Sequence, residues 1–179
     1  VSDGSKTFVF KAISSCFPAL LENGDPVYVF SLKDMLHTLY DNEDDEVYSR
    51  VMFSEDIYDI SVMAYLLNPL NKTYYYDNIS KDYLEQIIPS RADLLGKKQI
   101  TELIQSDPEK CYEMAAYSAY TAVRAFGVLK DRLEEDGMWQ LFKDVEMPLC
   151  YSLYNMERCG IAVDREALSG FSSQLGSMI

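Results

Sequence analysis

This sequence is short of cations, histidine and tryptophan. Its 179 residues include 16 lysines and arginines against 29 acidic residues, a formal net charge of −13 at pH 7, and it has a single His and a single Trp. Binding to a nucleic-acid duplex depends on neutralising phosphates with Lys and Arg, so we expect the chain to bind DNA weakly by itself. His37, between Leu36 and Leu39 on a helical stretch, is interpreted as a surface or core residue rather than a catalyst.

Cysteine pairs and long apolar runs are also missing. The four cysteines show no C-x-x-C spacing, which argues against a zinc site or a disulfide framework and favours apolar packing. No stretch approaches the roughly 20 apolar residues that cross a bilayer, and the first residues lack the pattern of a signal peptide. A cytoplasmic location is therefore the default expectation. The cysteines are Cys16, Cys111, Cys150 and Cys159.

Local clusters of charged and aromatic residues are present but small. The acidic run Asp41–Glu46 is typical of a solvated loop, because adjacent carboxylates do not supply the fixed geometry of a metal site. Lys97 and Lys98, with Arg91 nearby, are too few to track a phosphate backbone. The run Tyr74–Tyr76 could stack nucleic-acid bases, but packing onto the sheet is favoured in so acidic a chain.

Hydrophobic periodicity predicts alternating strands and helices, and hence an α/β layer. Asp3-Gly4 before a β-rich run predicts a hairpin turn whose first strand lies mostly upstream of Val1. Asp59 is expected to cap a helix, and Asp107 is expected to cap the long helix that Gly137 closes. The predicted strands are Pro26–Phe30 and Val47–Phe53, and the predicted helices are Ala12–Glu22, Leu32–Tyr40, Ile60–Leu67, Ser80–Ile88, Ile100–Gln105 and Pro108–Glu135.

The run from Asp144 to Asp164, DVEMPLCYSLYNMERCGIAVD, carries the densest pattern. It predicts a helix with Pro148 in its first turn and an end at Gly160, followed by a short extended segment and by Asp164 as the cap of a further helix from Arg165 to about Leu175. Its apolar stripe is expected to be covered by other protein. The stripe consists of Leu149, Leu153, Tyr154 and Met156.

Two stretches resemble family A DNA polymerases of the bacterial DNA polymerase I type. The run above is similar to the junction between exonuclease-like domain and thumb, with E-x-P-L and M-E-x-x-G-[IV]-x-[VI]-D, and YDISVMAYLLNP is similar to the family's F-D-x-x-x-x-A-Y-L-L-[ND]-P segment. The resemblance implies a ribonuclease H-like, 3′-5′ exonuclease-like domain with a reduced or truncated sheet over residues 1–137. It implies a linker and the first thumb helices over residues 138–179.

The same resemblance implies that the exonuclease metal site is degenerate. Active members of the family hold two divalent ions with carboxylates from three motifs, and the first motif is not visible here. The second places Met35 at a ligand position, with Asp34 one residue away and expected to point away from the site. The third places Met114 at its tyrosine and Tyr120 at its ligand. The former cleft is expected to be partly filled.

These observations predict a piece of a bacterial DNA polymerase I, a DNA-directed DNA polymerase of replication and repair. The piece itself is expected to be inactive and structural, with no cofactor of its own, while the parent enzyme uses Mg²⁺. Its expected partners are the remaining polymerase domains and, through them, DNA, with no membrane. One alternative is an active nuclease that uses Asp34, Asp56 and Asp59. Another is a protein-interaction module, and residues 165–179 are expected to fray or to pack on a neighbouring chain.

Overall fold

The computed structural model describes residues 1–3, 5–8, 24–40 and 56–178. The predicted helix Ala12–Glu22, the acidic run Asp41–Glu46 and the predicted strand Val47–Phe53 lie outside these residues. At the amino terminus, an antiparallel bridge between Ser2 and Thr7 confirms the predicted hairpin. The Asp3 side chain accepts hydrogen bonds from the backbone N–H groups of Ser5 and Lys6 and so stabilises its turn.

Two short parallel strands form the sheet in the described part of the chain. Strand β1 (Val27–Val29) pairs with β2 (Ile57–Asp59) in the register Val27 with Ile57 and Val29 with Asp59. Helix α1 (Leu32–Tyr40) follows β1, and α2 (Ile60–Leu67) follows β2 directly. This arrangement confirms a mixed α/β structure, although β2 begins beyond the strand that the sequence predicts.

Helices make up most of the remaining chain. They are α3 (Tyr76–Leu84), α4 (Arg91–Leu95), α5 (Ile100–Ser106), α6 (Pro108–Glu135), α7 (Trp139–Leu141), a π-helix (Phe142–Glu146), α8 (Met147–Cys159) and α9 (Arg165–Met178). The long helix α6 has the predicted bounds, and Gly137 follows it with φ of 69°. None of the helices in the described residues is long and apolar enough to span a bilayer.

Two local predictions are wrong. Helix α3 begins at Tyr76 rather than Ser80, because Tyr76 and Ile79 are buried and Glu85 ends the helix with φ of 57°. The linker before Lys97 contains α4, which a capping box between Ser90 and Asp93 starts. Asp107 is the N-cap residue of α6 and Pro108 its first residue, as predicted, although the Asp107 carboxylate makes no capping hydrogen bond and lies 3.6 Å from Lys110 Nζ.

A single cluster of buried side chains joins the sheet to the helices on both sides of residue 137. Leu32 and Leu36 of α1, Leu129 of α6, and Phe142 and Tyr154 from the C-terminal part all belong to this cluster, with no exposed surface. An aromatic group on β2, α6, α7 and the π-helix extends it. Its members are Tyr58, Phe126, Trp139 and Phe142.

The predicted stripe on α8 divides into two parts. Tyr154 is fully buried against α1, whereas Leu149, Leu153 and Met156 are 42%, 38% and 67% exposed. The prediction that the whole stripe is covered is therefore wrong within this chain. The segment 161–163 forms no strand, and α9 is a continuous helix rather than a frayed segment, although its side chains are exposed. Asp164 does cap α9, accepting hydrogen bonds from Glu166 N and Ala167 N at 3.0 Å each.

Candidate functional site

A groove lies at the carboxyl ends of the two parallel strands, where α/β proteins commonly place ligand sites. It consists of two adjoining cavities of about 430 Å³ and about 320 Å³. Both cavities are lined by Ser31 and Asp34 from α1 and its preceding turn, by Ser61 of α2 and by Tyr74. The shared lining makes them one continuous surface, which we call the groove.

Asp59 lies at the floor of the groove and is 2% exposed. Its Oδ1 accepts hydrogen bonds from the backbone N–H groups of Ser61, Val62 and Ser31, at 2.8, 3.3 and 3.3 Å. Its Oδ2 accepts one from Leu32 N at 2.6 Å. One carboxyl group thus caps the amino termini of both α1 and α2, which confirms the predicted cap on α2 and adds a second.

The environment of Asp59 combines burial with backbone donors. Burial raises the pKa of Asp59, and this effect outweighs the backbone hydrogen bonds, which lower the pKa. Because both oxygens are engaged by N–H groups of the chain, Asp59 is built to join two helices to the sheet. Of the carboxylates in the alternative nuclease site, Asp56 is exposed in the turn before β2.

The α1 wall of the groove differs from the prediction. Asp34 is exposed and lines both cavities, although we expected it to point away from the site. The reason is that Leu32, Met35 and Leu36 turn toward the core, which leaves Asp34, about 100° around the helix from Met35, on the groove side. Ser31 begins this wall in the left-handed conformation, with φ of 53°.

The α6 wall is formed by Met114, Ala115 and Ser118. Met114 was predicted at this site and does lie there. Tyr120 lies two residues beyond Ser118, about 200° around the helix, and both it and Met35 are outside the lining of the groove. These half-buried side chains therefore occupy other surfaces of their helices.

Aromatic side chains form one rim of the groove. Tyr76 is 4% exposed and donates a hydrogen bond to Pro89 O at 3.0 Å, and Tyr74 is half-buried, so packing is the role of both. Tyr75 is 45% exposed, and the Arg91 guanidinium lies 5.1 Å from its ring centroid. The sequence predicts that the cations near Arg91 are too few to form a basic patch, but Arg91 itself supplies a positive charge at this rim.

Helix α8 forms the opposite side of the larger cavity, through Leu149, Cys150 and Leu153. Burial raises the pKa of Cys150 to about 12, with smaller contributions from the negative charges of Asp59 and Glu146. The thiol is therefore a neutral, weakly reactive group at the groove wall. This side of the groove is mainly apolar.

A charged cluster lies beside the groove and joins α1 to α8. Lys33 Nζ lies 2.7 Å from Glu157 Oε1, and His37 Nε2 lies 2.9 Å from Glu157 Oε2. These contacts lower the pKa of Glu157, with the Lys33 hydrogen bond as the larger cause, and the same bond raises the pKa of Lys33. Sequence reasoning missed the cluster; its signal was the spacing of Lys33 and His37, one helical turn apart.

Three carboxylates, those of Asp34, Asp59 and Glu146, are among the side chains that line the larger cavity. A magnesium pair needs several carboxylate oxygens that converge on it. Asp59 is engaged by backbone donors, and the α6 wall offers a thioether and a hydroxyl. Across the described residues, no three His, Cys, Asp or Glu side chains are placed to hold a metal ion together.

The chain is similar to bacterial DNA polymerase I from several organisms. It is 27% identical over 171 residues to the Treponema pallidum protein, covering 87% of this chain and 17% of the relative. It is 28% identical to the Bacillus subtilis protein, covering 68% of this chain and 14% of the relative. It is 32% identical to the Rhizobium leguminosarum protein, covering 65% and 12%.

The chain spans no more than 17% of the length of these relatives. No protein-family model matches it. No solved structure matches it closely enough to identify the fold.

Proposed function

We propose, from the premise that this chain is related to bacterial DNA polymerase I, that it serves as a structural part of such a polymerase. The resemblance to family A DNA polymerases is confirmed by these relatives. The proposal places DNA-directed DNA synthesis in replication and repair, with its Mg²⁺, in other domains of that polymerase. The present chain supports those domains, in the bacterial cytoplasm, and reaches DNA through them.

Under this proposal, residues 1–137 form a degenerate, ribonuclease H-like 3′-5′ exonuclease domain, and residues 138–179 form the linker and the first thumb helices. The parallel strand pair with a helix after each strand is compatible with the exonuclease-like unit. Phe142 and Tyr154 are buried in the same cluster as Leu32 and Leu129. This shared core supports a firm attachment of the thumb segment to the exonuclease-like unit.

The proposal that the exonuclease-like domain is inactive rests on the side chains that line the groove. Its one buried carboxyl group, Asp59, is engaged by backbone N–H groups, and its α6 wall carries Met114, Ala115 and Ser118. Asp34 and Glu146 also line the groove, but no three His, Cys, Asp or Glu side chains of the described residues are placed to hold a metal ion together, which argues against the paired cations that phosphodiester hydrolysis uses in this family. The engagement of Asp59 is the observation that carries the proposal.

The negative net charge of the chain supports the proposal that the chain by itself binds DNA weakly. A net charge of −13 repels phosphates, and the positive side chains among the lining residues of the groove are Lys33 and Arg91. Fluorescence anisotropy with a labelled single-stranded oligonucleotide at about 0.15 M salt should therefore give a dissociation constant no tighter than the range of non-specific binding, about 10⁻⁴ to 10⁻⁶ M.

A nuclease assay tests the central claim. The full chain is incubated with 5′-labelled single-stranded DNA and with a mismatched primer–template, in the presence of Mg²⁺ or Mn²⁺. A proofreading-proficient family A polymerase serves as the positive control. We expect the oligonucleotides to keep their length, as they do with EDTA.

Metal-dependent shortening would contradict the proposal. If Asp34→Asn then abolished it in a folded protein, the alternative nuclease would be favoured, because Asp34 lines the groove. The matched control is Asp131→Asn, an exposed carboxylate on α6 outside the lining of the groove. The gene around this coding segment tests the polymerase assignment separately, since palm motifs with their metal-binding aspartates should follow it.

A further inference from the structure

A polar contact between α1 and α8 joins one carboxylate to two basic side chains. Glu157, in the last turns of α8, accepts a hydrogen bond from Lys33 Nζ at 2.7 Å through Oε1, and its Oε2 lies 2.9 Å from His37 Nε2. Lys33 and His37 are four residues apart, so they project from the same side of α1. Both oxygens of Glu157 are therefore held by one helix face, which we call the Glu157 clamp.

The clamp lies next to a buried anchor. The His37 ring packs against Tyr154 with centroids 4.7 Å apart, in an edge-to-face arrangement. Tyr154 is fully buried and precedes Glu157 by about one helical turn. An aromatic contact and a polar contact thus lie side by side between α1 and α8. Neither Lys33 nor Glu157 is buried, so solvent can compete for the polar part.

The clamp also borders the groove. Lys33 lines the larger cavity together with Leu149, Cys150 and Leu153 of α8. Val62 of α2 lies on the other side of that cavity. A rotation of α8 away from α1 would move the wall that carries Cys150, and thus widen the cavity.

We propose that the Glu157 clamp controls the width of the groove by holding α8 against α1, so that release of Glu157 opens the groove without unfolding the core. The same contact fixes the start of the C-terminal arm, residues 160–178, because α8 leads directly into it. Glu157 is a positioning residue in this scheme. The inference does not depend on the polymerase assignment, since it uses only contacts within the chain.

Thiol labelling of the full chain tests the clamp. Glu157→Gln removes the charge of the carboxylate, and Glu135→Gln makes the same change at the exposed end of α6. The rate of alkylation at Cys150 is followed by peptide-resolved mass spectrometry at fixed pH. Cys111, which is buried on α6 and outside the groove lining, reports global unfolding in the same samples.

We expect Glu157→Gln to raise the labelling rate of Cys150 at least about threefold, with Cys111 unchanged, as a local opening requires. Glu135→Gln should leave both rates unchanged. An unchanged Cys150 rate, or a parallel rise at Cys111, would overturn the proposal.

Discussion

The carboxyl group of Asp59 and the backbone of Leu32 are joined across the chain by a hydrogen bond of 2.6 Å, although 27 residues separate them in sequence. Asp59 ends β2, and Leu32 begins α1 after β1. Since the two strands are parallel neighbours, their carboxyl ends meet, and one side chain reaches the N-termini of both following helices. The groove floor therefore depends on a single residue.

Replacing this residue should destabilise the fold strongly. Asp59→Ala leaves the N–H groups of Leu32 and Ser61 without their acceptor in a buried site, at a cost of about 2–4 kcal/mol in the free energy of unfolding. Guanidinium denaturation followed by circular dichroism measures the loss. Asp131→Ala, at an exposed position on α6, is the control and should change stability by less than about 0.5 kcal/mol. Equal losses in the two variants would refute the double-cap role.

Tyr76 should make stability sensitive to alkaline pH. Burial raises the pKa of Tyr76 from its model-compound value of 10.0 to about 12, so the folded state holds the phenol proton more firmly than the unfolded state. The contribution of protonated Tyr76 to the free energy of unfolding is fully present below about pH 10. It falls by roughly 2 kcal/mol as the pH rises toward about 12. Urea denaturation of the wild type and of Tyr76→Phe across this range measures the difference.

Tyr76→Phe should be less stable at neutral pH, because the Pro89 carbonyl loses its donor, and its stability should fall less steeply above pH 10. Tyr112→Phe, on the exposed face of α6, is the matched control and should follow the wild-type slope. If both variants and the wild type had the same slope, burial of Tyr76 would not be the cause.

The prediction for Cys150 concerns its reactivity in the wild-type protein. A pKa raised from 9.0 to about 12 lowers the thiolate fraction at pH 8 on the order of a thousandfold. Alkylation of Cys150 should therefore be much slower than that of exposed Cys159, and its rate should still be increasing above pH 10. Peptide mapping after timed iodoacetamide exposure measures both rates. A Cys150 rate that reaches its plateau below pH 10 would contradict this assignment.

The sequence correctly predicts the bounds of a helix when residues at its own two ends mark them. Helix α6 has the predicted bounds because a proline at its start and Gly137 after its end mark both limits. The sequence predicts a helix start at Ser80, but Ser80 is fully buried within α3, and its hydroxyl donates to Gln86 O, near the helix end. A serine can stand at the start of a helix or inside one, so only the packing of Tyr76 decides where α3 begins.

The candidate site was less predictable from the sequence. It depends on how α1 is rotated against the core and on contacts between residues that are far apart in the sequence. The identities of Asp34 and Met35 were read correctly, yet only the burial of Met35 against the core places Asp34 in the groove. The cap from Asp59 to α2 is local and was predicted, whereas its bond to Leu32 requires the pairing of β1 with β2. The Glu157 clamp likewise joins residues more than a hundred positions apart.

The π-helix tests whether residues beyond 137 share one folding unit with those before it. Phe142 is fully buried and stacks with Tyr58 of β2, at a centroid distance of 6.4 Å. Phe142→Ala should cost about 3–5 kcal/mol. Val145→Ala, on the same π-helix but 50% exposed, should cost less than about 0.5 kcal/mol. Trp139, the single tryptophan, reports on this region by fluorescence, and circular dichroism reports on the whole chain.

If the core is continuous across residue 137, Phe142→Ala should shift the fluorescence and circular dichroism transitions together to lower denaturant concentration, because coincident probes are the mark of a single cooperative unit. A separable C-terminal segment would instead give a shifted fluorescence transition with most of the circular dichroism signal unchanged. The contacts of Phe142 with both Tyr58 and Trp139 favour the first outcome, since the side chain links β2 to the chain that follows α6.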